Sequence, residues 1–470
     1  MKRWTKVTSA VSMLVMFVSL VSPVQALAEQ TTTNSRLTSL DFASIEKEVS
    51  ARNPVVSVNK DLVDSTSYGK LTLSNTISDM NNAIDELDNG IDNFKDAETA
   101  LKSSPYYSAT ISQGTLPNPT GYTDLSGSVG TDGGLGTNDK VLLGGVSANL
   151  SSIVGLYDSN IASLEGNKKS LQKQLDQLQS QHASLEGTLE QVKLQTEMGN
   201  KLLVWAAQSL YAAYNKLTAQ QQDLTAGMDL LLKQLAATKL RVELGFALDS
   251  DLALVQNKIN DLHLASDTLT MQTLFLKGDL NILLGQDYDS PLEIQTMPDA
   301  DLAKISTASF NRDVDGATDL SYSIRTETAL RDAKKNVANL YLNDSDYGDK
   351  SNQYLQAKAD QDAEEVKVED DTRKFQNDFH KAYVDLQIKQ ETYNVEQDKL
   401  KTETTNFNQA KLKHDLGLIS DLELAGATNS LYSEQNKVQS LANDLEMSYV
   451  KYQWMKTGVS FDQSNSAKNS

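Results

Sequence analysis

Lys239-Leu240-Arg241-Val242-Glu243-Leu244-Gly245-Phe246 and Lys411-Leu412-Lys413-His414-Asp415-Leu416-Gly417-Leu418 lie 172 residues apart and share one pattern. Each puts a glycine where a helix must stop in a left-handed cap before the chain reverses, a conformation glycine takes at little cost. Each is followed by acidic and leucine residues that open a new helix: Asp249, Asp251 and Leu252 in the first copy, Asp421, Glu423 and Leu424 in the second. Each returning segment closes on another glycine about 40 residues later, Gly285 and Gly458. A helix–turn–helix hairpin is therefore present twice, as a tandem repeat.

The arms of the first hairpin carry heptad seams. Ile161, Leu164, Lys168, Leu171, Leu175, Leu178, His182, Leu185, Leu189 and Val192 alternate by three and four, with Lys168 and His182 as the only polar intruders. After a phase shift near Gly199 the seam resumes as Leu210, Tyr214, Leu217, Gln221, Leu224, Met228, Leu231 and Leu235. Beyond the turn it returns as Leu252, Val255, Ile259, Leu262, Ser266, Leu269, Thr273, Leu276, Leu280 and Leu283. Such seams need partner helices. A helix from 146 to 244 would approach ~150 Å if unbroken, so the expected fold is all-α, built of long antiparallel coiled-coil hairpins in two tandem repeats.

Composition narrows the function. Lys2, Arg3 and Lys6 precede an apolar run from Val11 to Val24 and the small residues of Ala26-Leu27-Ala28, the plan of a secretory signal peptide over 1–28. Removing it takes away three basic and no acidic residues and lowers the net charge from −20 to −23. A polyanion of this size repels nucleic acid. The chain has no cysteine, hence no disulfide staple and no lipidated cysteine, and its seven prolines suit long helices.

Residues 29–39 are Thr-, Ser- and Asn-rich and read as disordered. The first repeat spans 40–285, starting with a short helix from Leu40 to Ala51 that Asn53-Pro54 interrupts. Ile77, Met80, Ile84, Leu87, Ile91 and Phe94 then form a seam towards Leu101. A Gly-, Ser- and Thr-rich loop with three prolines is expected at 103–145, with weak hairpin signals at 106–111 and 140–143. Residues 286–319, containing Pro291 and Pro298, read as a linker. The second repeat covers 320–458, with helix to Leu342, a polar break from Asn343 to Asp349 and a long helix from Ser351 to Leu416; 459–470 read as a disordered tail.

No enzyme site emerges. His182, His263, His380 and His414 have no metal spacing, and no phosphate loop, dinucleotide fingerprint or nucleophile elbow is present. Glu364-Glu365 and Glu369-Asp370-Asp371 read as solvated faces. Trp205, Trp454, Tyr211, Tyr214, Tyr449 and Tyr452 read as core packing. No cofactor is expected.

The final hairpin resembles the TolC-like outer membrane efflux protein family in Leu412, Leu416-Gly417-Leu418-Ile419-Ser420, Asp421-Leu422-Glu423-Leu424, Ala427, Leu431-Tyr432, Leu441-Ala442 and Gly458. The copy at 244–285 fits less closely. The repeat starts Phe42-x-x-Ile45…Arg52-Asn53-Pro54 and Ser323-Ile324-Arg325…Ala333-Lys334-x-x-Val337 also look familial, so the likeness covers about 38–458 apart from the Gly-rich loop. It implies a homotrimeric, twelve-helix α-barrel, a duct in the cell envelope that works with a membrane-fusion-type periplasmic adaptor and an inner-membrane transporter. It further implies that Leu244, Gly245, Phe246, Leu416, Gly417, Leu418 and Ser420 form the adaptor-docking tips, and that Asp251 and Glu423 are gate acids. A next gating acid of some members falls on Gly426 here.

The family's membrane barrel takes two strands from each repeat, and 343–350 is too short for two spanning strands of ~9–11 residues. The ascending and descending arms of the first repeat instead exceed those of the second, by about 25 and about 30 residues. The β-barrel is therefore expected to be reduced or absent, with a helical extension in its place, as an envelope without a typical outer membrane would explain. A non-conducting coiled-coil spacer or surface-interaction protein derived from the same family is the alternative.

Overall fold

The computed structural model describes residues 36–104, 107, 137–344 and 347–461. The expected signal peptide and most of the Gly-rich loop lie outside them. Nine α-helices occur among the described residues: α1 (Ile45–Arg52), α2 (Pro54–Lys102), α3 (Thr137–Glu243), α4 (Asp249–Leu283), α5 (Leu302–Ile305), α6 (Phe310–Leu320), α7 (Tyr322–Asn343), α8 (Asn352–Asp415) and α9 (Asp421–Lys456). The strands β1 (Ser39–Leu40) and β2 (Glu293–Ile294) form a two-stranded parallel ladder. The chain is thus all-α with long helices, and no closed barrel occurs among the described residues.

Two compact units divide the chain, one holding 68–185 and 339–348, the other 36–67, 186–338 and 349–461. In the first, α2 and α3 run antiparallel, burying Leu73, Met80 and Ile84 with Leu175 and Leu178. Lys168, a polar intruder in the seam, is paired with Asp88. Further along, Lys95 meets Glu165 at 3.0 Å and Phe94 packs on Tyr157. The ascending excess of the first repeat is real: α2 has 49 residues and α7 has 22. The descending excess is larger than the sequence suggested, with 107 residues in α3 and 64 in α8. The difference arises because α3 begins at Thr137, so the strand signal at 140–143 and the loop reading of 137–145 are corrected to helix. No proline interrupts this stretch, and isolated glycines such as Gly144 and Gly145 cost a helix only ~1 kcal/mol each.

Within the second unit four helices stand side by side. Gln221 of α3 donates to Thr270 of α4 at 2.9 Å. Lys216 of α3 pairs with Asp444 of α9 at 3.0 Å, and Trp454 of α9 donates its indole N–H to Gln208 of α3 at 2.8 Å. Ser448 of α9 donates to Asp385 of α8 at 2.8 Å. These contacts set the order α4, α3, α9, α8. Towards the other end of α3 the order is kept with two substitutes. Asn59 of α2 bonds Asn200 of α3 at 2.7 Å, Gly187 of α3 lies against Ala329 and Ala333 of α7, and Arg331 of α7 pairs with Glu365 of α8 at 3.8 Å. Helix α2 thus takes the place of α4, and α7 that of α9.

The substitutes abut end to end. The Asn53 side chain donates to the Leu283 carbonyl at 2.8 Å, joining the start of α2 to the end of α4. The Tyr322 amide donates to the Gly458 carbonyl at 3.0 Å, joining the start of α7 to the end of α9. Arg52-Asn53-Pro54 therefore corresponds to Leu320-Ser321-Tyr322, and short helices α1 and α6 precede these breaks in the two repeats.

Helix α6 lies inside the segment expected as linker, because Ser309 opens a helix whose Asp313 and Ala317 are buried. Asp313 accepts from Tyr452 at 2.7 Å and pairs with Lys456 at 3.1 Å; these partners and Arg312 hold its carboxyl well below the usual range. Residues 36–40, within or next to the segment expected to be disordered, take part in the fold: Leu40 is fully buried, and the Leu37 amide donates to Gln286. Order likewise extends past 458, since Val459 is fully buried and Phe461 packs on Trp205 with ring centroids 4.9 Å apart. Apolar anchors that composition alone cannot place account for both corrections. Helix starts at Phe42 as a 3-10 turn because Ser39–Leu40 is taken up by the strand ladder.

Candidate functional site: hairpin turns and edge helices

Both hairpin turns end in the same hydrogen-bonded cap. At the first, the Phe246 amide donates to the Arg241 carbonyl at 2.7 Å and the Gly245 amide to Val242 at 3.0 Å; at the second, Leu418 donates to Lys413 and Gly417 to His414, both at 2.8 Å. This is the paired cap of a helix closed by a left-handed residue, and φ is +77° at Gly245 and +69° at Gly417.

The helices that follow use Asp251 and Glu423 at equivalent positions. Glu423 accepts from the Ser420 amide at 2.8 Å, while the Ser420 hydroxyl accepts from the Glu423 amide at 3.3 Å, a reciprocal capping box. The Ser420 amide and then its hydroxyl hold the Glu423 carboxyl below its ordinary value. Asp251 accepts from the Leu248 amide at 3.0 Å, but leucine offers no side-chain acceptor in return, so the first turn has only half the box. Replacing Ser420 with alanine is expected to cost ~1 kcal/mol of stability. Glu423→Gln is expected to be nearly silent, because an amide oxygen can accept the same bond. Denaturant melts of the two variants check this.

Around these caps the tips are apolar and exposed. Leu244, Phe246, Leu416 and Leu418 are all more than half exposed, and so are Leu240, Leu248 and Leu412, which were not among the residues expected at the docking tips. The second turn also carries a staple that the first lacks: His414 Nε2 lies 2.7 Å from Asp421 Oδ1.

A second apolar surface lies on the edge helices. On α4, Leu254, Leu264, Met271, Leu274, Phe275 and Ile282 are more than half exposed. Val55 and Val58 continue exposed apolar surface on α2, where that helix replaces α4. On α8, Leu355, Val366 and Ile388 are more than half exposed, and Val395 nearly so. Helix α9, inside the row, exposes only Tyr432 among its large hydrophobic residues. Apolar exposure thus concentrates on the two edges. Among the described residues no His, Asp or Glu group is arranged to hold a metal, and no helix is long and apolar enough to cross a membrane.

The chain matches no protein-family model and no curated protein. Among solved structures it is similar to the outer membrane protein VceC of Vibrio cholerae, at 14% identity over 61% of this chain and 76% of that one, with a TM-score of 0.45. It is similar to the CmeC outer membrane channel of Campylobacter jejuni at 11% identity, over 61% of this chain and 69% of that one, with a TM-score of 0.47. For the MtrE outer membrane channel of Neisseria gonorrhoeae the values are 13% identity, 59% and 72% coverage and a TM-score of 0.37. All three of these structures are outer membrane proteins or channels, and each likeness has a TM-score below 0.5.

Proposed function

We propose that the chain is an exported, trimeric α-barrel duct component of an efflux or secretion system, conducting passively. The observation that carries this reading is the pair of exposed apolar edges, α4 with the start of α2 on one side and α8 on the other. A row with two different sticky edges satisfies both by setting the first edge of one copy against the second edge of the next. Such head-to-tail contacts close into a ring when the rotation allows. The family resemblance supplies the number three and the partners, a membrane-fusion-type adaptor and an inner-membrane pump.

In this reading the exposed Leu244, Gly245, Phe246, Leu416, Gly417, Leu418 and Ser420 meet the adaptor, and Asp251 and Glu423 line the gate. The capping bonds give both acids a structural task as well: opening the gate by moving either carboxylate would also loosen the start of its helix.

The first test is the mass of chain 29–470 by light scattering, with end-on electron micrographs. Three copies around a water-filled lumen support the duct; a monomeric or dimeric rod leaves the spacer. Both edge helices hold more acidic than basic residues, so assembly is expected to strengthen between 50 and 500 mM salt, about the range over which screening shortens from over 10 Å to a few ångströms. Sedimentation across that range checks it.

A further inference from the structure

At the offset of 172 residues that relates the two turns, the seams of the two hairpins carry opposite chemistry at one place. In the first hairpin the seam positions are Leu224 on α3 and Leu262 on α4; in the second they are Glu396 on α8 and Glu434 on α9. The neighbouring Gly227 and Ala265 become Lys399 and Lys437. Where the first repeat has an ordinary apolar seam, the second sets a buried carboxyl group against a half-buried one.

The geometry of the cluster is specific. Glu396 is only 4% exposed and receives Lys437 from α9 and Lys399 from its own helix, the latter at 3.2 Å. Both lysines are more than half exposed, so they reach in from the surface with their stems along the helices. Glu434, half-buried on α9, interacts with Glu396 across the seam, and its Oε1 is buried with no partner. Two carboxylates in such contact cannot share a hydrogen bond unless one of them holds a proton. Burial and then the Glu396 charge push the Glu434 carboxyl up, whereas Lys437 holds Glu396 down. The charged groups facing the pair are Lys399 on α8 and Lys437 on α9. Helix α3, packed on α9, brings Gly227 within 4.0 Å of Asn429, and the charged residues of α3 nearest this level are Asp223 and Asp229.

We propose that Glu396, Glu434 and Lys437 form a proton-operated latch between α8 and α9, confined to the second hairpin. With a proton on Glu434 the pair is joined by a carboxylic acid–carboxylate hydrogen bond and the latch is closed. When that proton leaves to solvent the bond is replaced by repulsion that the two lysines only partly offset, and the seam opens at this level. The latch also acts as a register key, since a buried polar contact penalises any sliding of α8 along α9.

The sign follows from the two directions. Glu434, raised in the folded chain, contributes stability at mildly acid pH that is lost as pH rises through its folded value. Glu396, lowered, contributes stability that is present at mildly acid and neutral pH and disappears only in strong acid. The latch is therefore tightest in the mildly acid range.

Hydrogen exchange on the full mature chain, corrected for intrinsic rates, tests it at pH 5 and 7.5. Peptides within 390–410 and 426–440 leave out the His414–Asp421 contact of the turn, and also Asp371 and Glu446, the other α8 and α9 carboxyls raised by burial. Protection in these peptides is expected to fall at the higher pH. Peptides from 218–260, which stop short of His263, are expected to be unchanged. In Glu434→Gln, and in Glu434→Leu, which installs the first repeat's residue, the pH dependence of 390–410 and 426–440 should vanish while the chain stays folded. A wild-type chain with no change, a Gln variant with the wild-type change, or an equal response in the first hairpin would each overturn the latch.

Discussion

Phe275→Glu is expected to leave the protomer folded and to abolish its self-association, and Ile388→Glu is expected to do the same from the other edge. Phe275 is 57% exposed on α4 and Ile388 is 61% exposed on α8, so neither charge disturbs the packing of a single chain. In a junction between copies each would lose ~1.5–3 kcal/mol of apolar burial and would also bury a carboxylate. Together these weaken each contact by at least ~100-fold. The informative experiment is the mixture. In a head-to-tail assembly the Phe275→Glu chain keeps a sound α8 edge, and the Ile388→Glu chain keeps a sound α4 edge. Mixed at equal concentration they should form one good junction and stop at a 1:1 heterodimer, because both outer edges are then spoiled. An interface that pairs the same edge with itself would instead leave each variant able to dimerise alone. Light scattering of the two variants and their mixture distinguishes these outcomes, and a mixture that stays monomeric would dismiss the edges as assembly surfaces.

The edge stripes also show where the sequence was legible and where it was not. The hairpin turns could be read because glycine is nearly alone in taking a left-handed cap, and a repeated Leu-Gly with acids beyond it has few other causes. The inward seams could be read because leucine at alternating three- and four-residue steps is a strong periodic signal. On α4 that seam is Leu252, Val255, Ile259, Leu262 and onward, and Ile259 and Leu280 are indeed buried. A second stripe, Leu254, Leu264, Met271, Phe275 and Ile282, runs two positions away. Asn257, Asp261, Thr268 and Gly278 interrupt it, so it does not stand out against a fully apolar seam. An edge that meets another copy in water tolerates such breaks, whereas a seam inside one chain does not.

The contacts closing each repeat were illegible for a different reason. The Asn53–Leu283 and Tyr322–Gly458 bonds join residues far apart in the chain, and no local pattern encodes that meeting. Nor does composition reveal that Leu40 and Val459 are buried, because each is a single apolar residue in a polar stretch. Glu396 and Glu434 were passed over since a glutamate on a long charged helix looks solvated. Only the neighbouring helix makes Glu396 one of the most buried charged groups among the described residues.

The four hairpin glycines separate the local from the long-range contribution, and they give the second large effect. All four have positive φ, +77° at Gly245, +66° at Gly285, +69° at Gly417 and +90° at Gly458. An alanine at any of them pays ~1–2 kcal/mol for the left-handed conformation. At the turns that is the whole cost, because a Cβ on Gly245 or Gly417 would meet nothing within 4 Å. At Gly458 a Cβ would stand 2.0 Å from the Leu320 carbonyl oxygen and 2.9 Å from the Ser321 nitrogen, and at Gly285 it would stand 2.4 Å from the Arg52 oxygen. Those neighbours are backbone and cannot rotate away, so the helix ends must part, and at Gly458 the bond from the Tyr322 amide is lost with them. Gly458→Ala is therefore expected to destabilise by more than ~4 kcal/mol, a size reserved for disrupted packing, with Gly285→Ala somewhat less severe. Gly245→Ala and Gly417→Ala should stay near ~1–2 kcal/mol. Equal losses at all four positions in denaturant melts would show that the helix ends do not abut as described. The mild pair has a further use. Because Gly417→Ala leaves the protomer folded, a large loss of adaptor binding in that variant would assign the turn a role beyond capping its helix, and unchanged binding would confine it to the cap.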